Sequence, residues 1–396
     1  MLFEKKAFIY LFNRVIINNY LGEYWDMATD YNSRIDRLKT RRRGLDKTIP
    51  SMESYAYDSV LQESFREIEQ LKFKSESWET RSTTPIVNYV LGAMAEVDAK
   101  YTEISVKTAE RIENQLYDRL KDKGIYTRYR LQGSVPLNIH IKGISDVDLL
   151  VIDNSIFTYD RYGPKVSTYT AASRTTKDVL KTLRAESIRS LSDAFPKVNV
   201  DTSGAKSIKL TGGSLARDVD VVPSTWNNTY NYQVSDNEED RGINIYDSVK
   251  EEINFNLPFK HISLIKSKCM RNRGSLRKSI RLCKTLKADL IEEGTKIHLS
   301  SYDLAALMYH VKDSDLFDAS KNDLLVLYMT QQHFDKLYRN KETTLSLDTP
   351  DSTRKIIDKD EKFTSLLYLS YALDDLVSLV CESLGVSKEN LRYLSV

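Results

Sequence analysis

The side chains of this chain that could act together chemically are Ser134 in Gly133-Ser134, Asp146 and Asp148 in Ser-Asp-Val-Asp, and Asp220 in Asp-Val-Asp-Val-Val-Pro. Carboxylates are hard oxygen donors, and several on one surface suit Mg²⁺, with Mn²⁺ able to substitute. A Gly-Ser turn beside them offers backbone N–H groups and a hydroxyl to an anion, as a phosphate requires. Each feature alone has a plainer reading, since D-x-D is usually polar decoration of an edge strand and Gly-Ser is usually a turn. Their combination points to metal-assisted chemistry on a phosphate.

The elements that must position these groups follow from periodicity. Strand side chains alternate, so a strand over 145–152 sends Asp146 and Asp148 to one face and Val147, Leu149 and Val151 to the other. A strand over 216–223 repeats the pattern with Asp218 and Asp220. Asp220, inside the apolar run, completes a triad, whereas Asp218 follows Arg217 at the strand's mouth. Upstream, 126–131 alternates as a strand, and Ser134 as N-cap with Pro136 in the first turn predicts a helix after Gly133. Before it, Val90, Met94, Val97, Tyr101, Ile104 and Ala109 predict one long spine helix over 85–123, stopped by Gly124. A helix over 175–194 and short strands at 197–200 and 207–210 follow. The acidic run Asp236, Glu238, Glu239 and Asp240 reads as a solvated loop.

The second half is mainly helical. Over 275–291, Arg277, Arg281 and Lys284 fall at i, i+4 and i+7, a cationic rail on the side away from Leu276, Ile280, Cys283 and Leu290. Such a rail would neutralise phosphate charge that metals leave uncompensated. In the next helix Ser300 and Asp303 have capping-box spacing, which leaves Ser301 and Tyr302 to meet a phosphate oxygen and a base. His140, His261, His298, His310 and His333 have no mutual metal-ligand spacing and read as ordinary core or surface.

The whole chain sets bounds. Its 396 residues suffice for two or more domains, and a net charge of +2 gives no bulk case for coating nucleic acid or a membrane. Cys269, Cys283 and Cys381 are far apart, against a disulfide framework or structural zinc, and a reducing cytoplasm is expected. The apolar N-terminus is interrupted by Lys5, Lys6 and Arg14 and reads as an amphipathic helix rather than a signal or membrane span. Leu11, Val15, Leu21 and Tyr24 could share a buried stripe, 57–71 is another periodic segment, and Arg41-Arg42-Arg43 between them reads as a solvated face.

Gly133-Ser134, Asp146-x-Asp148 and the later Asp220 match the signature of the polymerase-beta-like nucleotidyltransferases. More narrowly, the chain resembles the bacterial CD-NTases, relatives of cyclic GMP-AMP synthase that include the DncV-like enzymes. The match rests on Gln132-Gly-Ser, Ser145-Asp-Val-Asp, Asp220-Val-Val-Pro, Arg241-Gly-Ile-Asn-Ile, Arg281-Leu-Cys-Lys284 and Ser301-Tyr302, and covers residues 90–310.

The resemblance implies an α+β, bilobal fold: a helical extension over 1–90, a mixed-sheet catalytic core with its spine helix over 91–256, and a helical lobe over 257–396. It implies that Asp146, Asp148 and Asp220 hold two Mg²⁺ ions, and that Gln132, Gly133, Ser134, Arg281, Lys284, Ser301 and Tyr302 bind nucleotide. The expected activity joins nucleoside triphosphates (ATP, with GTP, CTP or UTP as further candidates) into a cyclic di- or trinucleotide in antiphage signalling. A regulatory protein partner fits this setting. The alternatives are template-independent transfer to RNA, a protein or a small molecule, which would want an extended basic groove, and an inactive nucleotide-binding module, which intact acids argue against.

Overall fold

The two strands that carry the acids lie side by side at the centre of a seven-stranded mixed sheet. The computed structural model describes residues 30–44 and 75–394. In chain order the strands are β1 (Thr127–Gln132), β2 (Val147–Tyr159), β3 (Asn199–Asp201), β4 (Ile208–Thr211), β5 (Val219–Asn228), β6 (Gly242–Asp247) and β7 (Glu252–Asn256). β2 runs antiparallel to β1 and parallel to β5. The far edge of β5 is shared, by β4 along its first half and β6 along its second, with β3 and β7 outside them.

The described helices are α1 (Tyr31–Arg43), α2 (Pro85–Met94), α3 (Ala99–Lys121), α4 (Thr176–Ala194), α5 (Tyr230–Ser235), α6 (Pro258–Arg271), α7 (Ser275–Glu292), α8 (Ser301–Tyr309), α9 (Asp313–Ala319), α10 (Asp323–Arg339), α11 (Lys341–Ser346) and α12 (Asp360–Leu384). β2 and β5 read as near-continuous apolar runs because both their faces are covered. On one, Val147, Leu149, Val151, Val219 and Val221 pack with Ile112, Leu116 and Leu120 of α3 and Leu183 and Leu191 of α4. On the other, Leu150, Ile152 and Val222 pack with Trp226, Ile243 and Ile245.

The helical lobe has its own core, in which Ile35 and Leu38 of α1 and Val87 and Tyr89 of α2 meet Leu276, Leu282, Leu304, Leu366 and Leu373. The described part of residues 1–90 therefore belongs to the helical lobe and is no separate extension. By length and composition α12 could cross a membrane, yet half of its apolar window is buried, and its Leu366, Leu369 and Leu373 belong to this core. The N-terminal amphipathic helix, the stripe of Leu11, Val15, Leu21 and Tyr24, and the periodic segment 57–71 lie outside the described residues.

Other expectations are corrected. The spine is two helices, broken over 95–98, with Asp98 capping α3 at the Lys100 N–H. The break leaves carbonyls that arginines take up: Arg42 donates to Ala95 O at 3.3 Å and Glu96 O at 2.6 Å, and Arg281 to Met94 O at 2.7 Å. Arg41-Arg42-Arg43 is accordingly no solvated face. Arg41 and Arg42 are buried, with Arg41 paired to the fully buried Asp289 at 2.6 Å, and Arg43 pairs with Glu79 at 2.9 Å. The acidic run around 236–240 is tied down as well, Glu238 by Arg130 at 2.6 Å and Asp240 by Lys260 at 2.8 Å.

Candidate active site

Strand register assembles the acids. Asp148 of β2 stands opposite Gln132 of β1 on one side and Asp220 of β5 on the other, and Asp220 stands opposite Lys209 of β4. Residues in register project to the same face, so Gln132, Asp148, Asp220 and Lys209 form a row across four strands. Asp146 sits just before β2, its Oδ2 accepting a hydrogen bond from Lys209 Nζ at 2.6 Å. Over the row opens a cleft of about 490 Å³, with Gln132, Gly133, Ser134, Asp146, Asp148 and Asp220 on the sheet wall. Lys284, Ser301 and Tyr302 line the helical wall, so every expected site residue but Arg281 meets there. Asp218 precedes β5 and stays out of the cleft lining.

The cleft is short of cations for its acids. Desolvation, then the charges of Asp220 and Asp146, push the Asp148 carboxyl up to about 7. Burial likewise raises Asp220, whose Oδ1 is buried without a hydrogen-bond partner. An orphaned carboxylate oxygen beside a second acid in register is a donor set that fits a hard divalent cation. Among the described residues no three acidic, histidine or cysteine side chains stand gathered around one metal position. The third carboxylate, Asp146, is turned to Lys209.

Gly133 has to be glycine for two reasons. Its φ is +74°, and a Cβ there would lie 2.1 Å from Asp148 Oδ2. The residues after it form turns rather than the expected helix, with Ile139 N–H donating to Ser134 O at 3.1 Å and Asn138 at φ +54°. Tertiary packing overrides the local capping signal: Val135 enters the sheet-lobe core, while Leu137 and Ile139 enter the helical-lobe core. No helix N-terminus faces the cleft from this turn.

The cationic rail of α7 turns inward instead of facing solvent, with Arg281 and Lys284 buried and Arg277 half-buried, and it clamps this turn. Arg277 donates to Leu137 O at 2.9 Å, Arg281 to Asn138 O at 2.6 Å and Lys284 to Ile139 O at 2.9 Å, three consecutive carbonyls. Arg281 is 1% exposed and spans Asn138 O and Met94 O, so it holds the turn and does not face the cleft. Lys284 also donates to Ser145 Oγ at 3.0 Å, and desolvation draws its pKa down to about 7 despite the nearby Asp148.

On the helical wall the Ser300–Asp303 capping box forms as expected. Tyr302 stacks on His261 at 4.2 Å between ring centroids, donates its hydroxyl to Asp351 Oδ2 at 2.7 Å, and lies 5.3 Å beneath the Arg354 guanidinium. Burial holds His261 at about 4, a neutral ring. Lys209, His261, Asp351, Thr353 and Arg354 are cleft or row residues that periodicity passed over. Lys209 could have been found from the alternation of 207–210 once its strand was paired with the Asp220 strand. Residues 351–354 lie in an irregular segment with no periodic signal.

Comparison with known proteins agrees with this arrangement. Residues 264–372 match the cGAS/DncV-like nucleotidyltransferase C-terminal helical domain. The chain is 44% identical over 355 residues to the cyclic dinucleotide synthase CdnE of Yersinia aleksiciae, spanning 88% of this chain and 92% of that protein. It is 31% identical over 309 residues to a c-di-GMP synthase of Capnocytophaga granulosa, spanning 71% of this chain and 85% of that one. The solved structure of the STING-associated CdnE c-di-GMP synthase from Capnocytophaga granulosa superposes with a TM-score of 0.66 at 26% identity, over 89% of this chain and 99% of that one. With similarity running through both lobes and the acids in register at their junction, the chain belongs to the CD-NTase family of nucleotidyltransferases, the cGAS/DncV-like cyclic oligonucleotide synthases.

Proposed function

We propose that this enzyme joins nucleoside triphosphates into a cyclic di- or trinucleotide, with two Mg²⁺ ions held by Asp146, Asp148 and Asp220 and pyrophosphate released at each transfer. The observation that carries the reading is Asp148 and Asp220 in register on adjacent parallel strands, facing a cleft whose opposite wall presents Lys284, Ser301 and Tyr302. The name of the Yersinia relative, a cyclic dinucleotide synthase, supports the smaller ring.

In this reading a ribose hydroxyl oxygen attacks the α-phosphorus of a bound triphosphate in line with the bond that breaks, and the β- and γ-phosphates leave together as pyrophosphate. The chemistry supplied by divalent cations at the three acids, with Mn²⁺ able to replace Mg²⁺, is activation of that hydroxyl and neutralisation of the charge on the leaving group. The Gly133-Ser134 turn and Lys284 grip the triphosphate, and the Ser301 hydroxyl donates to a phosphate oxygen. Tyr302, held between His261 and the Arg354 guanidinium, lines the part of the cleft where a base would lie, and Arg354 would have to move for the base to stack on the ring. No side-chain nucleophile is needed. A linear product that re-enters with its own 5′-triphosphate as donor closes the ring by the same transfer.

A cytoplasmic setting, where nucleoside triphosphates are available, and a part in antiphage signalling belong to the same proposal. The reading is tested by incubating the full chain with labelled ATP, GTP, CTP and UTP plus Mg²⁺ and measuring pyrophosphate. Release by the wild type and its loss in Asp148→Asn are expected, and equal release by both would overturn the reading.

A further inference from the structure

Nucleotidyl transfer as described gives no role to the lysine of the row. Lys209 stands on β4 opposite Asp220, at the far end of the row from the Gly133-Ser134 turn, and its Nζ lies 2.6 Å from Asp146 Oδ2. The side chain is 40% exposed, long enough to reach the acid and free to swing into solvent. An ammonium and a divalent cation cannot both sit against the same carboxylate oxygen without repelling one another.

We propose that Lys209 is a resident counter-ion of the acid cluster, one that holds the Asp146 carboxylate while no divalent cation is bound and releases it when the cation enters. Lys209 is thus a positioning residue that sets the cation concentration at which the site fills. The inference rests on the reading of Asp146, Asp148 and Asp220 as the cation site. Linkage makes the competition reciprocal: whatever the ion pair contributes to the cation-free cluster is subtracted from cation affinity. A salt bridge with a merely structural role would show itself in stability and leave cation affinity unchanged.

The test is titration of the full chain with Mn²⁺, read by electron paramagnetic resonance without nucleotide, so that no turnover enters the measurement. Lys209→Met and Lys209→Gln are expected to bind Mn²⁺ more tightly than wild type, by up to about fivefold, the scale of a partly exposed ion pair. Lys209→Arg should keep wild-type affinity, and Lys209→Met should bring no gain on an Asp146→Asn background. Tighter binding in Met and Gln alone supports the proposal. Unchanged or weaker binding in both, with Asp148→Asn still lowering wild-type affinity, overturns it and leaves the cation site standing. Mn²⁺ binding indifferent to Asp148→Asn would instead remove the cation site on which the proposal rests. Thermal melting without cation establishes that each variant is folded, and the exposure of Lys209 means that its replacement opens no buried void.

Discussion

Residue by residue, the site is built on close approaches that tolerate little change. A methyl group at Gly133 would meet Asp148 Oδ2 at 2.1 Å in a backbone conformation that L-residues rarely adopt. Gly133→Ala is therefore expected to lower turnover by about 100-fold or more, the scale of a misplacement near 1 Å. Its melting temperature should change far less, because Gly133 is exposed. An initial-rate assay beside a melting curve checks both, and near-wild-type turnover would contradict the contact. The acids were legible in the sequence because a period of two places Asp148 and Asp220 opposite the apolar residues that fill the core behind them. Lys209 was not, because its place in the row depends on the register between β4 and β5, and nothing within its own strand of four residues records that pairing.

Among the elements, α7 does the most to set the geometry of the cleft. Its three cations fix consecutive carbonyls of the 137–139 turn, and that turn begins at the Gly-Ser pair proposed to grip phosphate. Arg281→Met would leave the Asn138 and Met94 carbonyls without their donor, and is expected to cost about 2–4 kcal/mol in urea unfolding. The same change should raise KM for nucleotide through the loosened turn, and Arg281→Lys should recover part of both. Unaltered unfolding and KM would show that the clamp does not hold the turn. Helical spacing disclosed the rail, but its burial was hidden, since basic stripes ordinarily face water and only the packing of Leu137 and Ile139 into the helical lobe brings the turn beneath it. The predicted single spine failed for a related reason. Val97 and Tyr101 keep the buried periodicity across 95–98, while Arg42 and Arg281 from other elements satisfy the carbonyls of the break.

At the scale of the whole molecule, two cores meet along the 133–146 segment, and buried polar groups hold them in place. His140 within it is 2% exposed and hydrogen-bonded to Thr102 Oγ1 at 2.9 Å. Burial first, then Lys284 and Arg281, draw its pKa down to about 4. The unfolded chain takes up this proton near pH 6.5 while the folded chain resists it to about 4, so the stabilisation from neutral His140 is lost as pH falls through that interval. Asp148 and Asp374, with carboxyls raised to about 7 and about 6, act in the opposite sense, so the effect of His140 is read as a difference. Between pH 7.5 and 5 the urea midpoint of the wild type should fall more than that of His140→Gln, and identical changes would refute the assignment. The α+β class and the two-lobe plan were legible in element order and motif, whereas the docking of α1 on the helical lobe was not. It depends on pairs such as Arg41 with Asp289, distant in sequence and individually unremarkable. The central claim, that register-aligned acids between these lobes make a cyclic nucleotide, is tested most directly by mass spectrometry of the phosphatase-resistant products formed from all four nucleoside triphosphates and Mg²⁺. A cyclic di- or trinucleotide is expected from the wild type and none from Asp146→Ala combined with Asp148→Ala; a linear or absent wild-type product, or a cyclic product that survives the double substitution, would refute the claim.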